Sequence, residues 1–506
     1  MDQSVKDTVS ELLQQGESAD IAIAWFGSDG LATLTHRELR DNAEGIAGQL
    51  RTAGLSTGDR VGIVLPNGPE AAIVFLAVAY CAVASPLNPA FRPEEFASYL
   101  NAIGPRAVIL SPESRLELPD GTARLALEGK PGALALTRNG IRLAAGSIEA
   151  SPADATALVL HTSGTTARPK IVPLTHANLT ASARNVATTL SLSAADRCFN
   201  VMPLFHIHGL VAALLASLGT GGSIVCTSGF EGFVFFEQLK SSRASWYTAV
   251  PTIHQLVAER APRAGGILRD AGLRFVRSSS AALPTTVMEA IERESGAPII
   301  EAYGMTEAAH QMCSNRLPPG IRKPTSVGPG SGVEITVLDR GPGGSGEIAV
   351  RGPSVFAGYE DNPEANAASF TDGWFRTGDE GYIDDNGYVF LTGRLKELIN
   401  RGGEKVAPAE VEDVLLRHPA IAQAVVFALP HPRLGEEVGA AVVVAPGAIV
   451  SEKEVRTHVA QALADFKIPR KVVFLNALPK GPTGKLQRIG LAARLGLADV
   501  SAEGNS

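Results

Sequence analysis

The chain has 506 residues, 45% of them apolar and 19% charged, an ordinary globular balance that excludes a disordered or collagen-like protein. A formal net charge of -7, with no dense block of Lys and Arg, argues against a nucleic-acid partner held by bulk charge. This length is roughly three domain-lengths, enough for a large multi-layer unit with a sizeable core and a smaller module.

The N-terminal Met1-Asp2-Gln3-Ser4 leads into a helix-like stretch from Val9 to Gln15 and lacks the basic-then-apolar layout of a signal peptide, so export is not expected. Arg60 to Leu65, Ala107 to Leu110 and Leu158 to Leu160 read as buried parallel strands separated by helix-length stretches, an α/β pattern. The most apolar run, Ala71 to Ala84, is too short for a membrane span of about 20 residues and reads as a buried helix. From about Gly346 the pattern changes to short strands with Gly-Asp-Asn turns: Glu347 to Val350, Gly381 to Asp385 and Tyr388 to Leu391. Gly341 to Gly346 reads as a surface turn. After Lys396 a compact α+β module is expected, with helices at Glu410 to Leu416 and Glu452 to Leu463 and strands at Ala422 to Ala428 and Gly439 to Val444. The expected organisation is a large N-terminal domain over 1–395, built of α/β subdomains plus a β-rich subregion, and a small mobile C-terminal domain over 396–506. Cys81, Cys198, Cys226 and Cys313 are too scattered for a zinc site, a redox pair or a disulfide framework. That usage fits a reducing cytoplasm, and the terminal Gly504-Asn505-Ser506 is not a peroxisomal address.

Three segments carry the chemistry. His161-Thr162-Ser163-Gly164-Thr165-Thr166-Ala167-Arg168-Pro169-Lys170 follows a strand and precedes a helix starting near Thr175. A short loop dense in Ser, Thr and Gly and ending in Lys offers backbone NH groups, hydroxyls and a cation to a polyphosphate, at a spacing unlike that of the P-loop. Taken alone, it reads equally well as a hydroxyl-rich turn. In Glu301-Ala302-Tyr303-Gly304-Met305-Thr306-Glu307, after the strand-like Pro298-Ile299-Ile300, a carboxylate at a strand end suits Mg²⁺ on ATP phosphates, and Tyr303 suits stacking on adenine. In Gly373-Trp374-Phe375-Arg376-Thr377-Gly378-Asp379 the Asp closes a turn, placed to accept ribose hydroxyls. A surface Glu and a capped hairpin turn are the plain readings of these last two.

These segments, in this order, with Gly393-Arg394-Leu395-Lys396 and Leu478-Pro479-Lys480-Gly481-Pro482-Thr483-Gly484-Lys485, resemble the adenylate-forming superfamily of acyl-CoA synthetases, peptide-synthetase adenylation domains and luciferases. The resemblance covers nearly the whole chain. It implies an ATP- and CoA-dependent acid-thiol ligase that uses Mg²⁺ and works through an acyl-adenylate. By position it implies that Thr162, Ser163, Gly164, Thr165, Thr166 and Lys170 cradle the pyrophosphate half of ATP. Tyr303, with Gly304, would face adenine, Thr306 would touch the α-phosphate and Glu307 would bind Mg²⁺. Asp379 would take the ribose hydroxyls with Arg394 nearby, Lys396 would be the hinge, and Lys485 would enter the site for the first half-reaction. Gly402 and Gly403, just past the hinge, would line the pantetheine channel.

The acyl pocket of such enzymes is lined by segments that correspond here to Pro203-Leu204-Phe205-His206-Ile207-His208-Gly209, Arg277-Ser278-Ser279-Ser280-Ala281-Ala282-Leu283 and Ala308-Ala309-His310. Where fatty-acid and aromatic-acid ligases usually carry Gly or apolar residues, this chain has His208, Ser279, Ser280 and His310. A hydrophobic tail would strand those donors, whereas a second carboxylate would satisfy them. These segments, with Ala249-Val250-Pro251-Thr252-Ile253-His254 and Leu398-Ile399-Asn400-Arg401-Gly402-Gly403-Glu404-Lys405, resemble oxalate-CoA ligases. Other acids remain open: malonate would call for an arginine clamp that these segments do not place, and a medium-chain or aromatic acid would need a different pocket wall. A nucleotide-binding protein without catalysis is the alternative of another class. Expected partners are the acid, ATP and CoA, with no nucleic acid and no membrane span, in a monomer or homodimer.

Overall fold

The computed structural model describes residues 7–162, 170–341, 343–479 and 488–497. Short runs rich in Val, Ile, Leu and Ala pair into two eight-stranded sheets. In the first, Phe275–Ser279 lies between Trp246–Ala249 and Ile299–Met305 in parallel register, and His310–Ser314 closes that edge antiparallel. In the second, Val83–Pro86, Arg60–Val64 and Ala107–Leu110 are parallel, and the Thr156–Thr162 strand pairs antiparallel with Lys170–Thr175 at the other edge.

Helix Pro69–Cys81 touches strands of both sheets, and all but two of its residues are buried, as an evenly apolar helix requires. The apolar run expected to be one helix from Ala71 to Ala84 divides: Ala82 turns extended and Val83–Pro86 is a strand. β-branched Val83 and the restriction that Pro86 places on Ser85 favour that change. The helix expected from Val9 to Gln15 is a single turn, Val9–Leu12, started by a capping box between Thr8 and Glu11.

A third sheet contains Glu334–Leu338, Gly346–Arg351, Trp374–Ile383, Phe370–Thr371 and Val389–Arg394. The chain then turns through residues 395–398 into a fourth sheet built on the long hairpin Ile421–His431 and Gly435–Val444. That last sheet, with helices Pro408–Leu416 and Glu452–Ala460, has its own buried core around Val411, Leu415, Val426, Val438 and Val455. It touches the larger unit where the Thr285 backbone NH reaches Oδ1 of Asp413 at 3.4 Å and where the Gln255 amide donates to the Ala422 carbonyl. Among the described residues no helix is long and apolar enough to cross a membrane.

Candidate active site

The loop 163–169 and the segment 480–487 lie outside the described residues, so Ser163, Gly164, Thr165, Thr166 and Lys485 are not placed. The two ends of the loop are placed, because Thr162 and Lys170 face each other in the ladder of an antiparallel pair. A strand, Lys170–Thr175, intervenes, and the helix His176–Thr189 starts where expected, with Thr175 as its N-cap.

Lys170 brings its ammonium to 4.3 Å from the centre of the Tyr359 ring, a cation–π contact. The Tyr359 hydroxyl in turn donates to Oε1 of Glu307 at 2.8 Å. Glu307 stands in the 3-10 turn Thr306–Ala308, held there as its carbonyl accepts from the Phe356 NH at 2.8 Å. Burial raises the pKa of its carboxyl, against which the Tyr359 hydrogen bond and the charges of Arg394 and Lys170 work. Among the described residues no three His, Cys, Asp or Glu side chains gather into a metal cage. One buried carboxylate beside a polyphosphate loop instead fits Mg²⁺, which takes one or two carboxylates plus phosphate oxygens and water.

Tyr303 lies inside the strand Ile299–Met305, which runs through the motif rather than ending before it. Its hydroxyl donates to Oδ2 of Asp379 at 2.5 Å, and Arg394 Nε donates to Oδ1 at 2.9 Å. Asp379 is not at a turn end as expected. It sits in the middle of Trp374–Ile383, directly opposite Arg394 of Val389–Arg394, because the turn falls earlier, at Asp372 and Gly373. A carboxylate has about four lone-pair sites, so both oxygens keep capacity for further donors.

Gly402 and Gly403, with φ of 61° and 99°, form the two-residue turn between Ile399–Arg401 and Glu404–Val406. Lys405 in this hairpin stands 3.6 Å from Glu380, the neighbour of Asp379. Lys405 thus ties the hairpin to the strand Trp374–Ile383, on the residue next to Asp379. Lys396 is exposed in the turn that joins the third and fourth sheets.

The acyl-pocket segments converge. His208 opens the π-helical segment His208–Leu215, Ser280 follows the strand Phe275–Ser279, and His310 opens the strand His310–Ser314. The imidazoles of His208 and His310 lie 4.9 Å apart, and Nδ1 of His208 is 3.2 Å from the Ser280 hydroxyl. Backbone strain concentrates here: Ser280, Ala309 and His310 have φ of 76°, 49° and 105°, the sparsely populated kind of conformation that gathers at functional sites. Gly304 permits it, since a Cβ there would stand 1.5 Å from the His310 carbonyl oxygen. Ser279 is buried and donates to the Ala302 carbonyl at 2.9 Å, tying two strands together, while Ser280 is the partly exposed hydroxyl of the pair.

Sequence reasoning passed over two residues. Tyr359, which links Lys170 to Glu307, carries no motif signal beyond a Gly-Tyr pair. Arg277 lies in an acyl-pocket segment but is given no role there, and the segments are read as placing no arginine clamp; the structure sets it behind the pocket wall, in a strand whose five residues are all buried. It is 0% exposed and donates to Gln311 Oε1 at 3.0 Å, and burial lowers its pKa to about 9, which still leaves it charged at neutral pH.

The chain matches the AMP-binding enzyme family over residues 14–360 and the AMP-binding enzyme C-terminal domain over residues 410–485. It is 44% identical to a probable CoA ligase of Humulus lupulus, with 92% of each chain covered. It is 41% identical to an oxalate–CoA ligase of Arabidopsis thaliana, over 95% of this chain and 97% of that one. The fold matches ATP-bound MatB from Rhodopseudomonas palustris with a TM-score of 0.85 at 29% identity, over 98% of this chain and 99% of the other.

Proposed function

From the premise that the chain belongs to the AMP-binding enzyme family, as an AMP-forming acyl-CoA ligase, we propose that its acid is oxalate and its product oxalyl-CoA. The observation that carries this reading is the donor-rich pocket wall, where His208, His310 and Ser280 gather at the end of the Phe275–Ser279 strand. Transfer of an apolar tail into such a wall leaves buried donors unsatisfied, a penalty that selects against fatty and aromatic acids. A short dicarboxylate offers one carboxylate to the reaction and the other to the Ser280 hydroxyl, which His208 backs, through a charge-assisted hydrogen bond. The identity to an oxalate–CoA ligase over nearly the whole chain supports the same choice.

In the proposed reaction, Thr162 and Lys170 at the two ends of the loop hold the β- and γ-phosphates, and Tyr303, Asp379 and Arg394 hold the nucleoside. Glu307 would hold Mg²⁺, which supplies charge neutralisation at the phosphates. Thr306 and Lys485 stabilise charge at the α-phosphorus as a carboxylate oxygen attacks it and the bond to pyrophosphate breaks. No general base is needed, because the nucleophile is already an anion. Rotation about Lys396 then brings Gly402 and Gly403 to the thiol path, the CoA sulfur bonds to the acyl carbon, and AMP leaves.

The test is turnover of the purified chain with ATP, Mg²⁺ and CoA on oxalate, malonate, acetate, a medium-chain fatty acid and coumarate, with the thioester identified by mass. The expected result is AMP and oxalyl-CoA with oxalate far ahead of the others. Preference for a monocarboxylate would discard the pocket reading and leave the ligase.

A further inference from the structure

The acyl pocket is backed by a polar chain with a direction. Arg277 and His208 are 0% exposed and Ser280 partly exposed, so the chain Arg277–His208–Ser280 runs from the interior outward. Nη1 of Arg277 lies 3.4 Å from Nε2 of His208 and 3.5 Å from the Thr248 hydroxyl, which itself lies 2.7 Å from Nε2. A guanidinium has five donors and no acceptor.

We propose that Arg277 is a positioning residue that sets the sense of hydrogen bonding in the acyl pocket, holding His208 with its proton on Nδ1 so that His208 donates to Ser280 and Ser280 donates to the substrate. If Nε2 carried the proton, donor would face donor at Arg277. With Thr248 accepting from Arg277, its own proton turns to Nε2, so both neighbours feed that nitrogen. On the far side of the ring Nδ1–H points to Ser280 Oγ at 3.2 Å, which frees the serine proton for the cavity. Ser279 cannot substitute, since its proton is committed to the Ala302 carbonyl. Gln311 extends the order the other way: its Oε1 accepts from Arg277, and its amide nitrogen donates to Thr189 and Ser331 at 3.2 and 2.8 Å.

The charge of Arg277 is left open. Among the described residues its side-chain partners are His208, Thr248 and Gln311, none of them a carboxylate, and its Nε has no hydrogen-bond partner. A buried cation without a counter-ion favours an anion nearby. The distal carboxylate of a dianionic acid at Ser280 is that anion, a step that rests on the dicarboxylate reading above.

The first test needs no variant of Arg277: nitrogen NMR of the full chain labelled with ¹⁵N-histidine, the His208 signals identified by their loss in His208→Gln. The expected spectrum has a bare, accepting Nε2 and a protonated Nδ1; a protonated Nε2 would overturn the proposal. In kinetics, Arg277→Met is expected to raise the KM for oxalate by about tenfold or more, as loss of a charged hydrogen bond implies, with the KM for ATP unchanged. Arg277→Lys is expected to recover part of that loss, and it takes the place of Arg277→Met should the latter not fold. Equal loss with oxalate and acetate in these variants would overturn the proposal. A wild-type enzyme that does not prefer oxalate over acetate would instead overturn the dicarboxylate reading, while the His208 spectrum would still decide the tautomer.

Discussion

Tyr359 donates to Glu307 at 2.8 Å and so favours the ionised carboxylate that burial disfavours. Tyr359→Phe removes that support, and the acid limb of the pH profile for AMP formation is expected to move to higher pH; an unmoved limb would separate Glu307 from the step. Glu301 gives a stability prediction of the same kind. Its burial raises the carboxyl pKa from 4.5 to about 8, opposed by a hydrogen bond from the Thr325 backbone. Between those values the folded state holds a proton that the unfolded state has lost, so stability falls as pH rises from about 4.5 to about 8. Glu301→Gln mimics the protonated form and is expected to raise the melting temperature at pH 8 while leaving it nearly unchanged at pH 4.5. At this scale the motifs named Glu307, Tyr303, Asp379, His208 and His310, and the fold sets Tyr303 on Asp379 and His208 beside His310. Arg277 and Tyr359 were not legible as partners, because their roles rest on contacts 69 and 52 residues away in the chain.

Strand endings are where the site is made. Ile299–Met305 carries Tyr303, passes Gly304 at a register shift, and delivers Glu307 in the turn beyond, and the chain returns as His310–Ser314 along the same edge. Gly304→Ala would press a methyl against the His310 carbonyl and is expected to cost about 1–3 kcal/mol. It should lower the melting temperature and displace His310 from the pocket; wild-type stability and oxalate KM would show that the close approach is unimportant. Buried strands such as Ala107–Leu110 were readable from composition alone, since both faces are covered. Where the Ala71 to Ala84 run changes from helix to strand was not, because uniform apolarity carries no period. The continuation of Ile299–Met305 through Tyr-Gly-Met was missed for a related reason, as a glycine inside a strand imitates a turn.

For the molecule as a whole, the two units hold separate cores joined by a short turn, and Lys405 of the small unit's Gly402–Gly403 hairpin reaches Glu380 of the larger one. Lys485, outside the described residues, belongs by sequence to the same small unit. If that unit delivers the lysine only for adenylation, Lys485→Ala slows AMP formation from free acid by at least about 100-fold and leaves CoA transfer to supplied acyl-adenylate much less affected. Equal loss in both steps would reject the assignment. The large α/β unit and small α+β unit were legible from the change in pattern after Lys396; their contacts at Thr285–Asp413 and Gln255–Ala422 were not, being set by tertiary packing.

The central claim is that the chain activates oxalate as an adenylate before CoA is engaged. Isotope exchange between pyrophosphate and ATP, measured on the full chain with Mg²⁺ and no CoA, tests it most directly. Exchange that requires oxalate, saturates with it and is weak with acetate is the predicted result; exchange that is absent until CoA is added, or equal with acetate, would contradict it.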